Sequence, residues 1–275
     1  ILDFNYIDLK SLKNIHIDAF VLPGVVDSRQ VKIAQKKLKS VLNYIPWVFI
    51  CVDHLRVYEK RHDLLKAADG VVLARSDLSL SIDSVSLPLV SKEIIRLCNQ
   101  FACPVYTFGG FLESMLAKPI ATRADVSDFG HAVYDGVDGV VFSAELSSGA
   151  YGNQAHVLGQ QIVKEVEKEV DLKASSQDIF SAPVSNVFDA IAAFAYKTAQ
   201  RVAARAILCI SRDGNTALKL ASFQIEIPIF ALTFKEETVQ KLKLIRGVYP
   251  LYLAREPNSN EVFDKSFSLL KEKTW

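Results

Sequence analysis

The chain has 275 residues, half of them hydrophobic, and its 32 basic and 31 acidic residues give a formal net charge of +1. This balance offers no electrostatic basis for binding nucleic acid or an anionic membrane surface, and no apolar run is long enough to span a bilayer. The length allows a large core and two domains. We therefore expect a soluble protein with neither nucleic acid nor membrane as a partner.

The cysteines support a reducing environment. Cys51, Cys98, Cys103 and Cys209 have neither the spacing of a metal site nor that of a disulfide framework, so buried free thiols are expected. No secretory signal is visible at the start of the chain. Together these features predict a cytoplasmic location.

The first part of the chain alternates short apolar runs with amphipathic segments, the pattern of parallel strands joined by crossover helices. The predicted strands cover 19–26, 48–52, 70–74, 104–108 and 139–143. The predicted helices between them include 30–42, 89–101 and 155–170. Residues 1–170 are therefore predicted to form a first domain of five β/α units.

The second part is predicted to be a small doubly wound α/β domain. A polar connector over 171–183 predicts a linker, and the domain covers 184–275. It begins with a helix over 187–204 that Ser185 caps. The remaining predicted elements are strands 206–211, 229–233 and 248–253 and helices 216–223, 236–244 and 259–270.

Five β/α units are too few for a closed barrel. A β/α barrel needs eight strands, and an incomplete one leaves two open sheet edges. The chain also starts without a Met. We expect either that this is part of a longer protein or that a partner chain completes the sheet.

Three blocks of sequence carry a family resemblance. They are ADGVVLARSDLSL (68–80), CPVYTFGGFLESMLAKPIATRADVSD (103–128) and DGVDGVVFSAELSSGAY (135–151). These blocks closely resemble the pyruvate kinase family, in which they end three consecutive barrel strands. The resemblance implies that residues 1–170 form part of a TIM-type (β/α)8 barrel, from its fourth strand onward. Residues 184–275 then form most of the family's C-terminal α/β domain.

The resemblance also implies a reaction and its cofactors. The family moves the phosphoryl group of phosphoenolpyruvate to ADP in glycolysis, and then protonates the enolate, using Mg²⁺ (or Mn²⁺) and K⁺. The family's catalytic and metal-binding side chains lie at the carboxyl ends of barrel strands. A Lys faces the phosphoryl group, a Glu two residues later and an Asp on the next strand hold the metal, and a Thr follows on the strand after.

This chain departs from the family at those positions. The first strand reads VFICVDHL against a pattern like ISKIEN, which puts Val52 at the Lys and His54 at the metal-binding Glu. ARSDLS against ARGDLG keeps the metal-binding Asp as Asp77 and replaces a Gly with Ser76. VYTFGGFLESM against a pattern like VICATQMLESM puts Gly109 at the Thr. The predicted metal positions are thus Asp77 and His54, and the predicted substrate positions are Ser76, Asp77 and Gly109.

These departures predict a pseudoenzyme with a binding or assembly role. A missing cation removes several kcal/mol of transition-state stabilisation, and a site of His and Asp suits Mg²⁺ poorly. We expect His54 to be hydrogen-bonded to a neighbouring Asp and Asp53 to be solvated, with Mg²⁺ and K⁺ bound poorly or not at all. Two alternatives stay open, a divergent active pyruvate kinase and a structural component of a larger assembly.

The block from 113 to 128 suggests an assembly surface. It matches the family at Glu113, Ser114, Lys118, Thr122, Arg123, Ser127 and Asp128, a segment resembling the family's subunit interface, in which the residue at Arg123 reaches a neighbouring active site. The alternative is that these residues organise a helix and its preceding loop. We expect a homo-oligomer or a hetero-assembly with pyruvate-kinase-like subunits, and ADP, ATP and phosphoenolpyruvate as ligands only if the protein is active.

A second candidate site lies in the C-terminal half. The family has a loop of pattern T-x-S-G-x-S/T that can hold the phosphate of an activator at a helix start. Here the loop consists of Ser211, Arg212, Asp213, Gly214, Asn215 and Thr216. The Asp213 carboxylate would repel a phosphate, so a simple helix-capping turn is the alternative.

Overall fold

A computed structural model describes residues 15–169, 187–224 and 227–253. The chain divides into two compact units, residues 1–171 and 172–275. The predicted linker, the cap at Ser185 and the helix over 259–270 lie outside the described residues. Among the helices that are described, none is long and apolar enough to cross a membrane.

The first unit is a parallel five-stranded sheet. Its strands are β1 (Ala19–Leu22), β2 (Trp47–Val52), β3 (Gly70–Ala74), β4 (Val105–Phe108) and β5 (Gly139–Val141). They lie side by side in chain order, and every neighbouring pair is parallel. The predicted sheet of five β/α units is therefore confirmed.

Helices connect the strands of this sheet. They are α1 (Ser28–Leu42), α2 (Leu55–Glu59), α3 (Arg61–Leu65), α4 (Arg75–Leu78), α5 (Leu87–Gln100), α6 (Arg123–Tyr134), α7 (Ala144–Ser148) and α8 (Gly152–Glu169), with a 3₁₀ turn at Glu113–Leu116. The predicted strand over 19–26 is too long, because the chain turns directly after Leu22 and Gly24 has a φ of 65°. Helix α1 starts two residues earlier than predicted, because Asp27 and Gln30 form a capping box.

The two faces of β2 have different surroundings. Val48, Ile50 and Val52 belong to the apolar core between the sheet and its helices. The ring of Phe49 instead lies 5.9 Å from that of Tyr106, and a Cβ on Gly70 would come within 2.5 Å of the Phe49 ring. Because successive strand residues point to opposite faces, Cys51 and Asp53 share the face of Phe49.

The second unit contains a smaller parallel sheet. Its elements are α9 (Val187–Arg201), β6 (Ile207–Ile210), α10 (Asn215–Ala221), β7 (Ile229–Thr233), α11 (Glu236–Leu242) and β8 (Val248–Tyr252). The strand order is β6-β7-β8 with parallel pairs. All five residues of β7 are buried, as expected of a central strand covered on both faces. The predicted α/β class of this part is confirmed.

Candidate active site

The carboxyl ends of β1, β2 and β3 border a cleft of about 490 Å³, which we call the β1–β3 cleft. It is lined by Gly24, Val26, Asp53, His54, Arg56, Val57, Asp77, Leu80 and Ser81. Parallel strands end at the same edge of a sheet, so side chains distant in sequence converge there. The structure thus brings together two of the predicted site residues, His54 and Asp77, with Asp53.

Asp53 lies in this cleft, and only one of its two carboxylate oxygens accepts a hydrogen bond from a described residue. Gly24 donates its backbone N–H to Asp53 Oδ2 at 3.0 Å. The other oxygen, Oδ1, is buried and has no hydrogen-bond partner among the described residues. An unpartnered buried carboxylate oxygen is costly, so this position suits a cation or a donor that binds in the cleft. Asp53 is therefore not the solvated residue expected from the sequence.

Cys51 and the two carboxylates form one electrostatic neighbourhood. Cys51 is 9% exposed, and burial together with the charges of Asp53 and Asp77 raises the pKa of its thiol to about 12. The thiol is therefore neutral at physiological pH. Asp77, the second of the two carboxylates, is exposed in the first turn of α4.

Val52 lies on the opposite face. It is 2% exposed and packs in the core between sheet and helices. The face of β2 opposite Val52 carries a pair of residues spaced two apart, Cys51, which is buried, and Asp53 directly after the strand, which lines the cleft. The signal that could have identified them is the alternation along 48–53, in which the aliphatic residues Val48, Ile50 and Val52 occupy one face.

His54 acts as a helix cap. Its ring is exposed, and its Nδ1 accepts the backbone N–H of Arg56 at 3.2 Å at the start of α2. The expected hydrogen bond to a neighbouring Asp is therefore wrong, because the imidazole satisfies a free N–H of the first helical turn instead. No three His, Cys, Asp or Glu side chains within the described ranges are placed to hold a metal ion.

A second cleft, of about 680 Å³, opens where β3 and β4 end, and we call it the β3–β4 cleft. Its lining includes Arg75, Ser76, Ser84, Lys92, Thr107, Gly109, Gly110, Asp128 and His131. Gly109 and Gly110 have φ angles of 96° and 80°, which disfavour any residue with a Cβ. A Cβ on Gly109 would also lie 2.5 Å from Ser76 Oγ. Two predicted substrate positions, Ser76 and Gly109, are thus so close that a side chain on residue 109 would collide with Ser76.

Arg75 in this cleft is held by its neighbours. Its Nη1 and Nη2 donate to the two carboxylate oxygens of Asp128 at 2.8 and 2.5 Å, and Nη2 also donates to the Gly109 carbonyl at 3.2 Å. The guanidinium lies 4.1 Å from the centre of the Phe111 ring. Its charge is therefore already matched by a carboxylate.

The residues that resemble a subunit interface divide into two groups. Ser114, Thr122 and Asp125 are hydrogen-bonded to one another and cap α6, and Asp128 holds Arg75. Lys118 and Arg123 are instead exposed, next to Leu116 and Ile120, which are 44% and 77% exposed. The first group organises the helix and its loop, and the second forms an outward-facing surface.

The loop over 211–216 in the second unit is satisfied internally. Ser211 is buried and its Oγ accepts the N–H of Ala217, and the Arg212 carbonyl accepts the hydroxyls of Thr233 and Thr238. Lys235 binds the Asp213 carboxylate and lowers its pKa. Gly214, with a φ of 90°, precedes the seven-residue helix α10, which starts at Asn215 and Thr216.

Comparison with known proteins identifies the relatives of both units. The family model for the pyruvate kinase barrel domain matches residues 25–156, and that for the pyruvate kinase alpha/beta domain matches residues 189–275. Pyruvate kinase from Thermotoga maritima is 28% identical over 270 residues, which cover 98% of this chain and 56% of that protein. Pyruvate kinase from Lactobacillus delbrueckii subsp. bulgaricus is 32% identical over 212 residues, which cover 76% of this chain and 36% of that protein.

The structural comparison agrees. A crystal structure of pyruvate kinase from Cryptosporidium parvum matches with a TM-score of 0.90 and 27% identity, over 97% of this chain and 56% of that one. A structure of the Cryptosporidium parvum enzyme in complex with ADP matches with a TM-score of 0.86. The chain thus spans about half the length of these relatives. Two domain models, sequence relatives and solved structures agree, and this chain belongs to the pyruvate kinase family.

Proposed function

We propose that this chain is a pyruvate-kinase-like pseudoenzyme, which retains a ligand-binding end of the barrel and has lost the means for rapid phosphoryl transfer. The observation that carries this proposal is Cys51. In the family pattern ISKIEN the Lys and Glu are two residues apart and so share one strand face. In this chain the β2 face that leads to Asp53 in the cleft carries Cys51 two residues earlier, so we align Cys51 with the Lys and Asp53 with the Glu.

The chemical consequence follows from the side chains. A neutral thiol cannot stabilise negative charge that develops on a transferring phosphoryl group, a contribution of several kcal/mol from a positioned cation. At position 109 the family's Thr is replaced by Gly, beside the hydroxyl of Ser76. The loss of the cation therefore supports binding without efficient turnover.

The metal-binding groups are better preserved than the sequence comparison indicates. Asp53 and Asp77 line one cleft, and Asp53 Oδ1 lacks a partner among the described residues. Hard carboxylate oxygens suit Mg²⁺ or Mn²⁺, which fill their remaining positions with water or substrate. We propose that Asp53 and Asp77, rather than Asp77 and His54, would hold the ion, which would supply Lewis-acid chemistry when bound. K⁺ dependence remains an expectation from the family.

The test is an assay of the full-length protein with phosphoenolpyruvate, ADP, Mg²⁺ and K⁺, in which ATP formation is measured. We expect a rate at least about a thousandfold below that of an active family member assayed beside it, since each 1.36 kcal/mol is tenfold in rate. Calorimetric titration should still detect binding of Mn²⁺ and phosphoenolpyruvate. Turnover within about a hundredfold of the active enzyme would overturn the pseudoenzyme proposal.

A divergent active kinase is the second candidate, and Arg56 is the observation that favours it. Arg56 is exposed and lines the same cleft as Asp53 and Asp77, and a guanidinium can stabilise a phosphoryl group. If the assay detects turnover, Arg56→Ala should abolish it. The matched control Lys66→Ala, also exposed but outside the cleft lining, should leave the rate unchanged.

An assembly role is the third candidate. Ile120 and Leu116 expose apolar surface beside the cations Lys118 and Arg123, as expected where another pyruvate-kinase-like subunit docks. Light scattering after size exclusion should give an oligomer that Ile120→Asp dissociates. Ile33→Asp changes a 51% exposed residue on α1 and should leave the mass unchanged. A monomeric unmodified protein would contradict this role. The cytoplasmic location stays a prediction.

A further inference from the structure

We infer that Ser76 and Gly109 are an exchanged pair. In the β3–β4 cleft, Ser76, after β3, carries the side chain. Residue 109, after β4, is glycine because the Ser76 side chain occupies the space that a side chain on residue 109 would need. We further infer that the Ser76 hydroxyl contacts a small oxyanion ligand in this cleft. This second part rests on the proposed function, because it assumes that the cleft still binds such a ligand.

The steric part of the inference comes from three distances to a Cβ placed on Gly109. A Cβ on Gly109 would lie 2.5 Å from Ser76 Oγ, 3.1 Å from Ser76 Cβ and 3.2 Å from the Ser76 backbone nitrogen. The backbone cannot easily withdraw, because the Gly109 carbonyl accepts a hydrogen bond from Arg75. Any residue other than glycine at 109 therefore conflicts with Ser76 in addition to the cost of its positive φ.

The sequence departures point the same way. The family pattern has Gly where this chain has Ser76 and Thr where it has Gly109. Each change alone would either crowd or empty the same small volume, whereas the two together keep one hydroxyl-bearing side chain there. The contact distances explain why both positions changed.

The chemical part rests on the free hydroxyl. Ser76 is exposed to the cleft. Its carbonyl accepts a hydrogen bond from Ser79, but the structure gives its own hydroxyl no bond to another described residue. The nearby cations already form ion pairs, Arg75 with Asp128 and Lys92 with Asp135 at 3.2 Å. Ser76 is thus a side chain in this cleft that can donate a hydrogen bond to a ligand oxygen without breaking an existing contact.

A double-mutant cycle tests the steric exchange. Melting temperatures would be measured for Gly109→Ala in the Ser76 and the Ser76→Gly backgrounds. We expect Gly109→Ala to lower the melting temperature by several degrees more when Ser76 is present. Gly110→Ala is the matched control, since Gly110 has a similar φ but its Cβ would meet only Arg75, at 3.8 Å. Its effect should be equal in both backgrounds. An equal effect of Gly109→Ala in both would overturn the exchange.

A binding measurement tests the ligand contact. Phosphoenolpyruvate with Mn²⁺ would be titrated into the unmodified protein, Ser76→Ala and the control Ser40→Ala, which changes an exposed serine on α1 outside the lining of this cleft. We expect Ser76→Ala to weaken binding about tenfold and Ser40→Ala to have no effect. Unchanged binding by Ser76→Ala would overturn the ligand contact alone. No binding by the unmodified protein would overturn the ligand contact and the proposed binding role, while the melting temperatures decide the exchange independently.

Discussion

Arg75 and Asp128 join the end of β3 to helix α6 through two hydrogen bonds of 2.8 and 2.5 Å. The pair is partly buried, with the two side chains 21% and 41% exposed. The geometry is the bidentate one that distinguishes Arg from Lys. Because Arg75 also holds the Gly109 carbonyl, this pair fixes the backbone of two strand ends that border the β3–β4 cleft.

Removing the Asp128 carboxylate should therefore weaken the fold. Asp128→Ala leaves a partly buried guanidinium without its partner, and we expect a loss of about 1–2 kcal/mol in the free energy of unfolding, measured in urea. The control is Glu165→Ala, which removes an exposed ion pair with Lys168 and should cost below about 0.5 kcal/mol. Equal losses in the two variants would show that Arg75 and Asp128 are only a surface pair.

Lysine substitutions on β2 distinguish the two alignments of this strand. Val52→Lys places an ammonium group in the core between sheet and helices, so it should lower the free energy of unfolding by about 3 kcal/mol or more. Cys51→Lys places the same group beside Asp53 and Asp77, so the protein should fold with a much smaller loss. Thermal and urea unfolding measure both variants.

The same variants bear on activity. If the missing cation is the main defect, Cys51→Lys should raise phosphoryl transfer above that of the unmodified protein, and further when Ser76→Gly and Gly109→Thr are added together. Gly109→Thr without Ser76→Gly should not help, because of the contact with Ser76 Oγ. A stable Val52→Lys protein beside an unfolded Cys51→Lys protein would contradict the assignment of Cys51 to the strand face of Asp53.

Divalent-ion binding should depend on two carboxylates. We expect Asp53→Asn and Asp77→Asn each to weaken Mn²⁺ binding at least about tenfold in calorimetric titrations, because each removes a charged oxygen ligand. His54→Asn retains a side chain that can cap α2 and should leave the affinity unchanged. A large loss with His54→Asn and none with Asp53→Asn would restore His54 as the second ligand.

Acid should weaken a hydrogen-bonded cluster between α2, α3 and α5. Tyr58 donates to Glu93 at 2.5 Å and Arg61 donates to it at 2.8 and 3.1 Å, and the bond from Tyr58, followed by that from Arg61, holds the pKa of Glu93 below its ordinary value. A lowered folded-state pKa gives stability that is present above the unfolded pKa and is lost as the pH falls through the folded pKa.

The free energy of unfolding should therefore fall more steeply below about pH 4.3 in the unmodified protein than in Glu93→Gln, which has no carboxylate to protonate. Urea titrations from pH 7 to pH 3 would measure the difference. Above pH 5 the unmodified protein should be the more stable one. If the free energies of unfolding of the unmodified protein and Glu93→Gln change with pH in parallel, the ionised Glu93 does not contribute to stability.

The positions of the strands were predictable to within a few residues, because fully apolar runs between amphipathic segments have one common solution, a parallel sheet covered by helices. The end of β1 was less predictable, since the turn at Gly24 depends on a positive φ that composition does not reveal. The helix start at Asp27 carries its own signal, a capping box with Gln30.

The sequence by itself determined the family, the α/β class and the retention of Asp77, since these depend on motifs and on local apolar patterns. Only the tertiary structure decided which side of β2 meets the cleft, that Asp53 has an unpartnered oxygen, and that Ser76 fills the space above Gly109. The physical reason is that facing and contact between strand ends arise from the packing of residues far apart in the chain. A one-residue shift along a strand moves every side chain to the other face.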